Sequence, residues 1–128
     1  MSAHKPLEGV KVVELASFVA APTAGRMMAE MGADVIRVES TAGDPWRFYG
    51  ANCGLPITDE EILFLNIYNL GKKDIQLNTK TPEGKEILFH LLDEADVFIT
   101  NNRLKSLVRS GLDYESLKDR FPKLIYGW

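Results

Sequence analysis

The fold turns on residues 10–39, "VKVVELASFVAAPTAGRMMAEMGADVIRVE". Its first six residues are rich in β-branched side chains, which suit a pleated, half-buried strand. Pro22 fits the first turn of a helix and Gly32 a helix C-terminus, so residues 16–32 read as strand exit and helix. "ADVIRVE" (33–39) reads as a second strand. Strand, helix and strand at this spacing form a βαβ unit, whose default is parallel pairing with a right-handed crossover. The stretch therefore begins a parallel sheet.

Outward from it, "STAGDPWRFYGANCGLPIT" (40–58) carries glycine and proline at irregular intervals and reads as the longest loop. "DEEILFLNIYN" (59–69) reads as a short helix and "KDIQLN" (73–78) as a third strand. Thr81 and Pro82 open a helix whose Ile87, Leu88, Leu91 and Leu92 are expected on one face. "ADVFIT" (95–100) is the fourth strand. "LKSLVRS", closed by Gly111, and "YESLKDRF", opened by Asp113, read as helices, and "KLIYGW" as a fifth strand. An α/β domain ordinarily covers such a strand with another crossover, so a longer protein is expected, with a complete five-stranded domain as the alternative.

A chain of 128 residues with 45% apolar and 26% charged side chains suffices for one ordinary core. Its net charge of −3 supplies no basic field, so neither nucleic acid nor a membrane is expected as a partner, and any anion site must be local. Cys53 is the single cysteine, which excludes an internal disulfide and an all-cysteine metal cage. Paired metal ligands are lacking, and no metal is expected. The start "MSAHKPLEG" has no apolar signal-peptide core, so a cytoplasmic location is expected. Glu14, Arg26 and Glu30 interrupt the first apolar stretch well short of the roughly 18 residues a bilayer span needs. Neither a G-x-G-x-x-G nor a P-loop motif follows a strand.

Six collinear pieces, "LEGVKVVEL", "AAPTAGRMMAEMGADVIRVES", "GDPWR", "NLGKKDIQLNTKTPEGKEIL", "LLDEADVFITNN" and "SGLDYESLKDRFPKLIY", resemble the class III CoA-transferases, the family that includes formyl-CoA transferase. The resemblance runs from about Leu7 to Trp128. It implies a Rossmann-like α/β fold, with a mainly parallel sheet and flanking helices, forming the N-terminal part (residues 1–128) of a longer chain. It also implies an interlocked homodimer, coenzyme A as bound substrate, and acyl-CoA and carboxylic acid as reaction partners. Lys72 matches a family position near the CoA nucleotide, Phe18 and Val19 the lining of the thiol arm, and Ala20 the helix entrance. Asn101 and Asn102 end the fourth strand, where ligands of open α/β sheets sit, and Arg109 aligns with a family arginine near the nucleotide. The chain departs from the family where "TNNRLKS" replaces the usual "ENFRPG" and where Ser40 stands in place of a basic residue or proline. A nucleotide-phosphate contact at Ser40 is expected either to be missing or to be supplied by Arg103 or Lys105.

The family reaction uses an aspartate nucleophile, which the resemblance places beyond Trp128, so no catalytic residue is expected in this chain and by itself it should be inactive. Asp44, before Pro45 and beside Arg47, reads as a loop anchor, and Glu39 lacks the glycine fingerprint that would make it a ribose ligand. His4, His90 and Cys53 read as surface or packing residues. Three functions stay open at this point: a CoA-transferase, of which the 2-hydroxyacyl group is the nearest resemblance; an acyl-CoA racemase of the same fold; or a non-catalytic nucleotide-binding domain.

Overall fold

The computed structural model describes residues 4–55 and 62–128. Five strands form one all-parallel sheet in the order β3-β2-β1-β4-β5: β1 Lys11–Leu15, β2 Asp34–Glu39, β3 Lys73–Gln76, β4 Val97–Thr100 and β5 Ile125–Gly127. β1 is central, with Val13 opposite Ile36 on one side and Phe98 on the other. The expected βαβ opening is present, and α1 (Ala20–Glu30) makes its crossover.

Alternation along the strands divides the core in two. Val13, Leu15, Val38 and Phe98 pack against Leu88 and Leu92 of α4 (Pro82–Asp93) and, further along, against Leu107, Leu112, Leu117 and Phe121. Val12, Val35, Val97 and Ile99 face the other way, toward Met28 and Ala29 of α1. On α4 the buried stripe is Gly84, Leu88 and Leu92, spaced four apart. Ile87 was expected on that face but points outward at 44% exposure, because it sits a hundred degrees round the helix from Leu88.

Local signals act where they were read. The Thr81 hydroxyl accepts from Gly84 N at 3.2 Å, capping α4 with Pro82 at its first position. Asp113 accepts from Ser116 N at the start of α6 (Tyr114–Leu117), which is shorter than expected. Gly111 takes φ 66°, the left-handed conformation that closes α5 (Leu104–Ser110). The expected loop after β2 instead contains a helix, α2 (Trp46–Asn52), and is followed by α3 (Leu63–Asn69). The short helix expected over 59–69 is present as α3, and residues 59–61 of that expectation lie outside the described residues. The glycines at 50 and 54 masked α2, and its stability comes from packing on α3 rather than from propensity.

Candidate functional site

In an open parallel sheet, ligands bind beyond the carboxyl ends of the strands, where connections diverge to the two sides. Here that point lies between β1, whose chain goes on to β2, and β4, which is reached from β3 by passing over β2 and β1. Ser17–Val19 leave β1 there, and Asn101 and Asn102 leave β4.

The Asn101 side chain ties these two exits together. Its Oδ1 accepts from Ser17 N at 3.1 Å and its Nδ2 donates to Ser17 O at 2.7 Å. Thr100 donates its hydroxyl to Leu15 O at 2.7 Å. Past this clamp, Phe18 takes φ 62°, the only positive φ of a non-glycine residue among the described residues, and is 44% exposed. An aromatic residue in that region is strained, and such strain persists where surrounding structure enforces it. Val19 is exposed at the α1 N-cap position and Ala20 is the first residue of α1.

Two adjoining clefts open on this crevice, sharing Leu15, Ser40 and Asn102 in their walls. The first runs past Ala16 and Ser17 to Gly43, Asp44 and Pro45. The second, about 560 Å³, is lined by Lys80, Lys85 and Arg109 with the hydroxyls of Thr79, Ser106 and Ser110, and by no carboxylate among the described residues. Cationic and hydroxyl donors converging without a competing acid suit a phosphorylated ligand. Lys85 Nζ already donates to Ser110 O at 2.5 Å, closing the C-terminal end of α5 and leaving further ammonium hydrogens for a ligand. Asn102 and Arg109 thus share one cleft, while Phe18, Val19 and Asn101 stand at the neighbouring end of the crevice. Of the cations considered for a phosphate contact, neither Arg103 nor Lys105 lines this cleft, whereas Lys80 and Lys85 do.

Lys72 is placed elsewhere. Its side chain is 1% exposed and its ammonium donates to Glu14 Oε2 at 2.7 Å, Pro22 O at 2.8 Å and Asn69 Oδ1 at 3.0 Å. Three donors with three protein acceptors leave no hydrogen for a phosphate. Burial pushes the Lys72 ammonium down and the Glu14 carboxyl up from their usual ranges, each opposed by the attraction of the other. The pair sits under α1 where Gly25 passes: a Cβ there would lie 1.9 Å from Glu14 Oε2. Lys73, beside it in sequence, is exposed and pairs with Asp34 at 2.8 Å.

A second buried network supports the walls. Arg37 donates to Glu39 at 2.7 Å, Asp74 at 2.6 Å and Asp44 at 2.8 Å. Arg47 grips both oxygens of Glu39, at 2.5 and 2.6 Å, and Asp44 N donates to Glu39 at 2.7 Å. Burial raises the Glu39 carboxyl, but the bonds from Arg47 and Arg37 outweigh it and hold the group down at about 2. Asp44 is an anchor, as expected, although its arginine partner is Arg37 rather than Arg47. Glu39 has no lone pair directed to a ribose beyond these partners, in keeping with the weak case for that role. Arg37 escaped the sequence reading, yet alternation puts Val35, Arg37 and Glu39 on one face, and a charge inside an apolar strand was the available signal.

His4 and His90 are exposed and pair with Glu8 and Glu86, and Cys53 is an exposed thiol. Among the described residues, no group of three or more His, Cys, Asp or Glu could hold a metal, and no helix is long and apolar enough to cross a membrane.

The parallel five-stranded sheet with flanking helices and a basic cleft beside its switch point is a Rossmann-like α/β domain. The family is narrower than that: a family model described as CoA-transferase family III matches residues 7–127, and the chain belongs to that family. It is 52% identical over 118 residues to a cinnamoyl-CoA:phenyllactate CoA-transferase of Clostridium sporogenes, covering 92% of this chain and 29% of the relative. A (R)-2-hydroxy-4-methylpentanoate CoA-transferase of Clostridioides difficile is 45% identical, with 94% of this chain and 30% of the relative covered. The crystal structure of a CAIB/BAIF family protein from Brucella suis superposes with a TM-score of 0.86 at 43% identity, over 96% of this chain and 32% of that one. The chain spans under a third of the length of these relatives.

Proposed function

We propose that this chain is the N-terminal, CoA-binding part of a longer CoA-transferase, which moves CoA between an acyl-CoA and a carboxylic acid of the 2-hydroxy class. The single observation that carries this reading is the cleft of Lys80, Lys85 and Arg109 beside the β1/β4 crevice, lined by no carboxylate among the described residues, in a chain of CoA-transferase family III. The phosphates of the CoA nucleotide lie against the three cations, and the pantetheine arm runs over Leu15 and Asn102 toward Ser17 and Phe18. Lys72 has no part in this, since Glu14, Pro22 and Asn69 take its hydrogens.

In the proposed reaction an aspartate carboxylate, supplied beyond Trp128, attacks the thioester carbonyl and expels CoA thiolate, giving a mixed anhydride. The thiolate then attacks the aspartyl carbonyl and releases the first acid as its carboxylate. The incoming carboxylate repeats the two steps in reverse, and the aspartate is regenerated. Because the nucleophile lies outside residues 1–128, this chain alone turns nothing over. The working protein is an interlocked homodimer in the cytoplasm, and its N-terminal part holds, orients and shields the thioester.

The test is calorimetric titration of the full-length protein with CoA. Arg109→Ala removes a charge-assisted bond and should weaken CoA by about 1–3 kcal/mol, with a smaller loss for 3′-dephospho-CoA if Arg109 meets the 3′-phosphate. Affinity unchanged in both Arg109→Ala and Lys80→Ala refutes the assignment of the cleft.

A further inference from the structure

A group of aromatic rings flanks the crevice at the end away from the cations. Trp46 stacks on Phe64, with centroids 5.3 Å apart, and on Tyr68 at 5.6 Å, and Phe18 meets its edge at 5.5 Å. Phe18 is next in sequence to Ser17, and Trp46 next to Pro45, and both Ser17 and Pro45 line the first cleft. One partly exposed ring thus adjoins the residues that line the cleft, with a stack of rings against it.

We propose that Phe18, backed by Trp46, determines specificity for the acyl group and selects aryl and branched apolar chains, and that Asn101 is the residue that positions it. The proposal rests on the CoA-transferase reading above and deepens it. Phe18 holds a backbone conformation that glycine adopts freely and an aromatic residue does not, so the ring is retained there against local strain. The conformation is imposed from β4, because Asn101 grips both the N–H and the carbonyl of Ser17 just before it. Phe18 is 44% exposed with Trp46 in edge contact, so its side chain offers open apolar surface to a planar or branched apolar group. None of Phe18, Trp46, Phe64 and Tyr68 carries a charge, so a second carboxylate on the acyl chain would lose hydration there without a partner. The two curated relatives described above are named for cinnamoyl, phenyllactate and 2-hydroxy-4-methylpentanoate groups, which are aryl or branched.

The experiment measures, in the full-length protein, dissociation constants for cinnamoyl-CoA, acetyl-CoA and free CoA in the wild type and in Phe18→Gly, Phe18→Ala, Asn101→Ala and Asn101→Asp. The wild type should prefer cinnamoyl-CoA over acetyl-CoA by about tenfold or more, the size of one well-packed ring contact. Phe18→Gly and Asn101→Ala should each remove most of that preference. Asn101→Asp keeps the acceptor for Ser17 N but sets a carboxylate oxygen against Ser17 O in place of the donor, so it should lose the preference as well. Phe18→Gly should also melt above Phe18→Ala, because glycine relieves the positive φ. Losses that are equal for both thioesters, or a preference intact in Phe18→Gly, overturn the proposal while leaving CoA binding in place. A wild-type protein that binds neither thioester nor free CoA refutes the CoA-transferase reading and this proposal with it.

Discussion

Replacing Lys72 with methionine removes the ammonium that faces Glu14 at 2.7 Å and leaves the carboxyl in a site where it is fully covered. Removing one partner of a buried pair costs about 3–5 kcal/mol, mostly because the other charge is left uncompensated. The bonds to Pro22 O and Asn69 Oδ1 go as well, while the methionine still fills most of the lysine stem's volume. Burial already pushes the Glu14 carboxyl above its ordinary 4.5, and without Lys72 nothing nearby restrains it as strongly. The sign follows for a raised carboxyl: its stability is intact below the unfolded pKa and is lost as pH rises through the folded one. The damage in Lys72→Met should therefore be about 3 kcal/mol or more near pH 8 and distinctly smaller near pH 5. Equilibrium urea unfolding followed by tryptophan emission at both pH values measures it. Adding Glu14→Gln should recover more than half of the loss, since no buried charge then remains. A Lys72→Met protein as stable as the wild type near pH 8, but with CoA affinity gone, would refute the burial argument and return Lys72 to a phosphate.

Gly25→Ala should destabilise by about 1–3 kcal/mol, although alanine ordinarily favours a helix interior, because its Cβ would fall 1.9 Å from Glu14 Oε2. A rise in thermal midpoint would show that Glu14 moves aside freely. Glu39 is held down at about 2 against an ordinary 4.5, so its contribution is present above 4.5 and is lost as pH falls toward about 2. Glu39→Gln should remove an acid-linked stability change on the order of 3 kcal/mol between those limits, and an acid titration with the wild-type slope contradicts it.

Elements were legible wherever a local rule was enough. Alternation and β-branching marked β1, β2 and β4, Thr81-Pro82 marked the start of α4, and Gly111 the end of α5, because capping and backbone preference act within a few residues. α2 was not legible, since Trp46–Asn52 carries glycine and is held mainly by contact with α3. The crevice was legible in part: Phe18, Asn101 and Asn102 follow the ends of β1 and β4 at the switch point, and strand ends follow from the pattern. Lys80 and Lys85 were missed because they belong to a loop and a helix that approach Arg109 only after α4 folds back across the sheet.

By itself, the sequence determined the α/β class, the parallel sheet and membership of the CoA-transferase family, because hydrophobic period, caps and collinear motifs are properties of neighbouring residues. Tertiary structure alone decided what each charge does. Lys72 and Lys73 are adjacent, yet one side chain is 1% exposed against Glu14 and the other 68% exposed beside Asp34. Successive residues near a strand point to opposite sides, and only the packed helix α1 determines which side is closed to water. The same lysine type is therefore a buried ion-pair partner at one position and a surface group at the next.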